Sequence, residues 1–401
     1  MRLKNYIKYL IVFFIILLSS FVLGNKSENA TSNLATKTII KDAVVIVEKP
    51  ITLKRFTNLE TKKVRHKLDS LLKRINKRHD FHGTILVAKK GKIIYENQVG
   101  YADFRKKTKL KSESIYQLAS VSKQFTATAI MMLKERGQLK LSDTVTNYFP
   151  KFPFKNITIR HLLNHTSGLP KYFWVAEHEW TKKTPPSNTE MMTFLESNSS
   201  TASMFFRPGR KFDYSNTGYF VLASIIEKIS GTRFSEFLEK NILKPLQMNN
   251  SFVYSYKIDP IRENQLIGYR LYRGWRHLKI NGTVNDAIVG DKNIYATHID
   301  LLKWVNGLNN GSLISKKSLE EMYTKGKTKY GRNVPYGFGF RIDSKNDDKI
   351  AYHFGKWNGF NTGLSHYKDG LVVIVLEHTS YQAMGTLTKK IKNIVLDNFN
   401  F

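Results

Sequence analysis

Ser120 and Lys123 lie three positions apart at the start of the strongest helical pattern in the chain. Residues i and i+3 share one face of a helix, so the two side chains are expected to point the same way. A lysine that is removed from water loses its proton more easily and can then accept the proton of a neighbouring serine hydroxyl. The spacing therefore predicts a nucleophilic serine with its base. The alternative is structural, with Ser120 as a helix cap and Lys123 solvated.

Two further polar motifs follow, Tyr214-Ser215-Asn216 before a second helical pattern and His353-Phe354-Gly355 at the end of a predicted strand. Each has a structural alternative, because asparagine and glycine are common turn residues and a histidine can end a strand as a plain polar group. The case for chemistry depends on the three motifs occurring together and in this order.

In this order, the three motifs resemble those of the penicillin-recognising serine hydrolases. That family has Ser-x-x-Lys, then Ser-Asp-Asn or Tyr-x-Asn, then Lys-Thr-Gly or a variant such as His-x-Gly. The tyrosine form resembles class C β-lactamases and their DD-peptidase and esterase relatives. Residues 118–127 also resemble the family's nucleophile segment, and residues 159–169 its hallmark loop. The resemblance covers about residues 64–395.

The resemblance implies a catalytic role for four of these positions. Ser120 would attack a carbonyl carbon and form an acyl-enzyme. Lys123 and Tyr214 would share the proton transfers, with Tyr214 activating the water that removes the acyl group. The backbone N–H groups of Ser120 and Lys356 would form the oxyanion hole. This chemistry needs no cofactor and no metal.

The resemblance also implies substrate contacts from Asn216, His353 and Gly355, with His353 beside a substrate carboxylate. The third motif departs from Lys-Thr-Gly, because it lacks the hydroxyl residue and brings the bulky ring of Phe354. An unperturbed histidine is also mostly neutral near pH 7. Both differences weaken carboxylate capture, so we expect an esterase or D-amino-acid peptidase rather than a dedicated β-lactamase.

A metal site is not expected. His79 and His82 are three positions apart, but no further acidic or histidine cluster is expected to join them nearby. His161 and His165 are four positions apart, and the resemblance places them in a structural loop rather than in a zinc site.

The first residues predict export. Arg2, Lys4 and Lys8 precede an apolar run over residues 10–18, a pattern typical of a secretory signal sequence over residues 1–24. The apolar run is short for a membrane span, so cleavage is favoured over an uncleaved anchor. The expected location is therefore periplasmic or extracellular. The chain has no cysteine, which excludes disulfides, thiolate metal sites and a lipid-modified cysteine anchor.

The formal net charge of +32 favours anionic surroundings. Anionic polymers of the cell envelope are therefore possible partners, beside a small-molecule or cell-wall-derived substrate. Export argues against nucleic acid, and contact with a membrane is expected only if the signal segment stays uncleaved. The alternative is a lysine-rich solvated surface without a specific partner.

Strand patterns near both ends and helical patterns between them predict one sheet built from both ends of the chain, with a helical insertion. Residues 25–63 are expected to be a polar tether. Residues 64–401 are expected to form one domain, with a helical subdomain within about 115–260. The resemblance implies a mixed α/β fold of the β-lactamase/transpeptidase type, with a mainly antiparallel sheet flanked by helices.

Two other functions remain open at this stage. A catalytically silent penicillin-binding-like protein would keep the fold and bind cell-wall fragments, although all three polar motifs survive in this chain. A basic, wall-associated structural protein would bind anionic polymer in a salt-dependent way without using Ser120.

Overall fold

The computed structural model describes residues 53–197, 203–343 and 350–399. The predicted signal sequence and most of the predicted tether lie outside the described residues. No helix in the described part of the chain is long and apolar enough to cross a membrane.

Thirteen strands and eleven helices are described. The strands are β1 (Gly83–Lys89), β2 (Lys92–Val99), β3 (Tyr101–Asp103), β4 (Thr108–Lys109), β5 (Tyr116–Gln117), β6 (Phe252–Val253), β7 (Tyr269–Tyr272), β8 (Arg276–Lys279), β9 (Ile294–Ala296), β10 (Arg341–Asp343), β11 (Ile350–Trp357), β12 (Phe360–His366) and β13 (Leu371–Glu377). The helices are α1 (Leu59–His79), α2 (Lys123–Glu135), α3 (Val145–Tyr148), α4 (Ile159–Leu163), α5 (Tyr172–His178), α6 (Asn188–Ser197), α7 (Asn216–Ser230), α8 (Phe234–Leu238), α9 (His298–Asn309), α10 (Lys316–Met322) and α11 (Met384–Leu396).

The central sheet joins the two ends of the described chain. Its six strands are ordered β10-β11-β12-β13-β1-β2, and β1 pairs antiparallel with β13 from Gly83 opposite Glu377 to Lys89 opposite Leu371. Helices α2 to α10 lie between β2 and β10 in sequence, whereas α1 precedes β1 and α11 follows β13. The predicted mixed α/β fold, with a mainly antiparallel sheet and a helical insertion, is therefore confirmed.

Alternating side chains place the sheet between two apolar cores. Along β1, Ile85 and Val87 pack into the core formed with α1 and α11, whereas Leu86 and Ala88 pack into the larger core formed with the other helices. Successive residues of a strand point to opposite faces, so a strand that is buried throughout serves both cores. The larger core carries the candidate site.

The glycine-containing segments 89–92 and 368–370 of the sequence predict turns, and both turns are present where the backbone needs positive φ. Lys90 and Gly91, with φ of 45° and 77°, join β1 to β2 in a two-residue hairpin. Gly370, with φ of 82°, ends the Asp-Gly turn between β12 and β13.

The first helix begins earlier than the apolar spacing predicts. The pattern starts near Val64, but α1 begins at Leu59, inside the predicted tether, because the Asn58 side chain accepts a hydrogen bond from the backbone N–H of Thr61. An N-cap of this kind satisfies one of the free N–H groups at a helix start.

Helix α2 differs from prediction in its surroundings. Its apolar spacing predicts an amphipathic helix, yet every residue from Lys123 to Leu133 is buried. A helix enclosed on all sides must find partners for its polar groups within the protein. The Lys123 ammonium is such a group.

Candidate active site

The nucleophile candidate lies in a tight turn rather than in the helix itself. Residues Ala119–Ser122 form a short 3-10 helix that leads directly into α2. Ala119 has a φ of 47°, an uncommon conformation for a residue with a side chain and one that is often found at functional sites. The turn leaves Ser120 partly exposed, while Lys123 is fully buried below it.

Lys123 is held at three points. Its Nζ lies 3.3 Å from Ser120 Oγ, and it donates to Asn216 Oδ1 and to the backbone carbonyl of Asp291, both at 2.7 Å. Burial lowers the pKa of Lys123 to about 7, with the Arg341 guanidinium adding to the shift and the Asp291 carboxylate opposing it. An amine with this pKa can exchange a proton with the serine hydroxyl near neutral pH.

The second motif lies at the start of α7. Ser215 is the N-cap and accepts a hydrogen bond from the Gly218 N–H, which fixes Tyr214 and Asn216 on either side of the cap. The Lys123 ammonium is 5.1 Å from the centre of the Tyr214 ring. The geometry therefore brings the first and second motifs together.

The Tyr214 hydroxyl is buried and has no hydrogen-bond partner among the described residues. Burial raises the pKa of Tyr214, while the nearby Ser120 hydroxyl and Arg341 guanidinium oppose that rise. The Ser120 and Tyr214 oxygens are close but do not form a hydrogen bond. A buried polar group without a partner is costly, and in a catalytic site a bound substrate or water can satisfy it.

The third motif places strand β11 beside the nucleophile turn. A Cβ on Gly355 would lie 2.4 Å from the backbone oxygen of Leu118 and 2.9 Å from the Ala119 Cβ, so only glycine permits this approach. Strand β10 pairs with β11 only as far as Tyr352, which leaves the following edge of β11 without a partner strand in the described structure. Such an edge can offer a backbone donor to an oxyanion. The role of the Lys356 N–H as that donor stays a prediction.

His353 is buried in this strand with both ring nitrogens engaged. Its Nδ1 lies 2.8 Å from the Phe354 carbonyl oxygen, and its Nε2 lies 2.9 Å from the Tyr336 hydroxyl. A carbonyl oxygen only accepts, so Nδ1 carries the proton and Nε2 accepts from Tyr336. Burial and the Lys123 ammonium hold the pKa of His353 well below its usual range. The ring is therefore neutral and has no free nitrogen for a substrate carboxylate; a substrate contact by His353 stays a prediction.

Arg341 is a cation that motif reasoning missed. Its guanidinium carbon lies 5.3 Å from the centre of the Tyr214 ring, and no acidic side chain in the described ranges forms an ion pair with it. It lowers the pKa of Lys123 and of His353. In the sequence, an arginine in a short strand carries no signal that separates it from the other basic residues.

A contact between His165 and Tyr214 was also missed by motif reasoning. The His165 ring is fully buried, its Nδ1 accepts the backbone N–H of Ser215, and its centre lies 4.3 Å from that of Tyr214. Burial holds the pKa of His165 well below its usual range, so the ring is neutral. It acts here as packing and as an acceptor, in agreement with the structural reading of the 161–165 pair.

The expectation that no acidic or histidine cluster joins His82 is wrong. The fold brings His277 to the same place, and the Nε2 atoms of His82 and His277 lie 3.0 and 2.7 Å from the two carboxylate oxygens of Asp80. The His82 Nδ1 accepts the backbone N–H of Tyr101, so the proton of the neutral ring sits on Nε2 and points at Asp80. This arrangement suits a hydrogen-bonded clamp better than a metal ligand set.

Comparison with known proteins shows the family to which the chain belongs. A sequence profile of the family described as Beta-lactamase matches residues 68–394, which include all the motif residues above. The chain belongs to the beta-lactamase family of penicillin-recognising serine hydrolases. It is 35% identical over 315 residues to "Penicillin-binding protein 4*" of Bacillus subtilis, covering 76% of this chain and 69% of that relative.

Two solved structures share the fold of this chain. A penicillin-binding protein homologue from Pyrococcus abyssi superposes with a TM-score of 0.70 at 27% identity, over 82% of this chain and 76% of that one. A D-amino acid amidase from Ochrobactrum anthropi, complexed with L-phenylalanine amide, superposes with a TM-score of 0.66 at 21% identity, over 85% and 98% of the two chains. The second likeness concerns the fold alone.

Proposed function

We propose that this beta-lactamase family protein is an exported serine hydrolase that forms an acyl-enzyme on Ser120. The observation that carries the proposal is the buried Lys123 ammonium, 3.3 Å from the Ser120 hydroxyl, with its pKa lowered to about 7. A lysine on the protein surface would stay protonated and could not serve as a base at neutral pH.

In the acylation step, Ser120 Oγ attacks the carbonyl carbon of the substrate and its proton passes to Lys123. The new C–O bond gives a tetrahedral oxyanion, for which the N–H groups of Ser120 and Lys356 are the proposed donors. When the oxyanion collapses, the bond to the leaving group breaks, and the proton returns through Lys123 or Tyr214 to the leaving oxygen or nitrogen.

In the deacylation step, water attacks the acyl-enzyme and its proton passes to the Tyr214–Lys123 pair. The bond between Ser120 Oγ and the acyl carbon breaks, and the serine recovers its proton. The buried Tyr214 oxygen, which lacks a partner among the described residues, is the proposed acceptor for this water. Asn216 fixes the Lys123 ammonium and stays a proposed substrate contact.

The proposed substrate is an ester or a D-amino-acid peptide rather than a β-lactam. His353 is neutral and its ring nitrogens are engaged, so it is poorly placed to hold the carboxylate of a β-lactam.

The predicted export and the charge of +32 both support an anionic environment for the proposed reaction. We propose that anionic envelope polymers concentrate the enzyme near a cell-wall-derived substrate. This binding would weaken as salt is added and would persist after Ser120→Ala, because it does not involve the nucleophile.

The deciding experiment is intact-protein mass spectrometry after incubation with a fluorophosphonate and, separately, with a penicillin. The expected result is one fluorophosphonate adduct on Ser120 by peptide mapping, and none on the Ser120→Ala variant. An adduct on Ser122, Ser215 or Ser365 would overturn the assignment. No adduct from either reagent, in a folded protein, would favour the catalytically silent wall-binding protein instead.

A further inference from the structure

Near the nucleophile, the buried residue Asp291 contacts two buried lysines, one through its backbone and one through its side chain. The Asp291 backbone carbonyl accepts a hydrogen bond from Lys123, while its side-chain Oδ1 lies 3.2 Å from the Nζ of Lys292. Asp291 is fully buried, and only 2% of the Lys292 side chain is exposed. The proposed reaction uses Lys123 and gives Lys292 no part.

The groups around the Lys292 ammonium are of the kinds that stabilise a buried positive charge. It lies 5.1 to 5.2 Å from the ring centres of Tyr172, Phe173 and Trp357, which enclose it on three sides. It also donates to the Tyr172 hydroxyl at 2.5 Å, and that hydroxyl lies 3.2 Å from the other carboxylate oxygen of Asp291. Aromatic faces and a carboxylate together stabilise an ammonium away from water.

Lys123 has no carboxylate partner among the described residues. Its three hydrogen-bonding partners are a hydroxyl, an amide oxygen and a backbone carbonyl, none of which carries a charge. The ring centres of Tyr214 and Tyr219 also lie 5.1 and 5.5 Å from its ammonium. One buried carboxylate can balance one ammonium, and Asp291 makes its side-chain contact with Lys292. The lysine left without a counter-charge is the one beside the serine.

We propose that Lys292 is a positioning residue, which occupies the Asp291 carboxylate and so leaves Lys123 without an acidic partner. This inference rests on the proposed function, because it assigns Lys292 to the base of that reaction. The Asp291 carboxylate raises the pKa of Lys123. The Lys292 ammonium lies 3.2 Å from that carboxylate, and a positive charge at this distance is expected to offset part of its effect on Lys123. The contact between Lys292 and Asp291 should also help to order residues 290–293, which include the Asp291 carbonyl oxygen that accepts a hydrogen bond from Lys123.

The test is the pH dependence of Ser120 labelling by a fluorophosphonate, measured as a second-order rate constant. In Lys292→Met the Asp291 carboxylate is left without its partner and should raise the pKa of Lys123. The acid limb of the profile, the pH range over which the labelling rate rises, should then move up by about one to three pH units, the usual effect of one nearby opposite charge. In Asp291→Asn the limb should move down. In the double variant, where both charges are gone, it should return close to its wild-type position.

Tyr172→Phe is the matched control, because it removes one contact to Lys292 and keeps both charges. Its limb should stay in place, even if its rate falls. Replacing both members of a buried pair is often tolerated better than replacing one, so the double variant remains informative if Lys292→Met folds poorly. Single variants that move the limb in the same direction, or not at all, would overturn the inference. Wild-type protein that is never labelled on Ser120 would instead overturn the proposed function.

Discussion

Lys123 donates a hydrogen bond to Asn216 across 2.7 Å, and this contact joins the first motif to the second. The two residues lie on different helices, α2 and α7, that pack within the same core. Since the Asn216 amide oxygen accepts from the ammonium, the amide directs Lys123 Nζ toward the serine turn. The position of the proposed base therefore depends on the packing of these two helices.

The first prediction concerns pH. Lys123 can accept the serine proton only when it is neutral, and burial lowers its pKa to about 7. The rate of Ser120 labelling should therefore rise as pH increases through about 7 and level off above it. Fluorophosphonate labelling of the wild-type protein between pH 5 and 9 measures this. A rate that stays constant down to pH 5 would show that Lys123 is not the base.

The second prediction concerns the approach of β11 to the nucleophile turn. Gly355→Ala would place a Cβ 2.4 Å from the Leu118 backbone oxygen, so the strand and the turn must separate. Misplacement of reacting groups by about 1 Å can cost about 10²-fold in rate. We expect a loss of that size in kcat/KM on any ester that the wild type hydrolyses.

The matched control is Gly363→Ala on the neighbouring strand β12. Its Cβ would meet the Phe354 ring at 3.1 Å and Met384 Cγ at 3.3 Å, side-chain atoms that can shift slightly. This variant should keep most of the activity. Equal losses in the two alanine variants, with both folded by circular dichroism, would mean that Gly355 has no special relation to the site.

The third prediction concerns the mature protein. The basic residues and apolar run at the start of the chain predict removal of about the first 24 residues on export. N-terminal sequencing of protein from the native host should find a new terminus near residue 25 outside the cytoplasm. An intact Met1 in a soluble cytoplasmic fraction would contradict this.

Local patterns predicted much of this fold because they encode local structure. Lys90 and Gly91 mark their hairpin, and Ser120 with Lys123 marks the nucleophile turn, since each pair acts over a few residues. The Asn58 cap was missed because the apolar spacing begins only after it. These differences shift element ends and leave the order of the elements unchanged.

Residues that act only through tertiary contacts could not be found in this way. Lys292 is one lysine among many in the sequence, and its burial among aromatic rings depends on α5 and β11 meeting over it. Asp80 and His277 meet across 197 positions of sequence. The sequence around each of these residues is typical of an ordinary polar surface segment.

The last prediction is that Lys123 and Tyr214 act as one proton-transfer unit, so that their mutational effects do not add. In water neither side chain is a base near pH 7, because a free lysine titrates near ~10.4 and a free tyrosine near ~10. In the site, burial lowers the pKa of Lys123 to about 7 but raises that of Tyr214, so Tyr214 depends on Lys123 to take up a proton. General-base assistance is typically worth ~10²–10⁴ in rate, so Lys123→Ala and Tyr214→Phe should each lower kcat/KM by about that range. The double variant should be little worse than the poorer single one, since the two residues share one proton path that either substitution breaks. The measurement is a double-mutant cycle on one ester, with folding checked by circular dichroism. Strict additivity of the two losses, or full activity in Tyr214→Phe, would show that Tyr214 does not share the proton transfer.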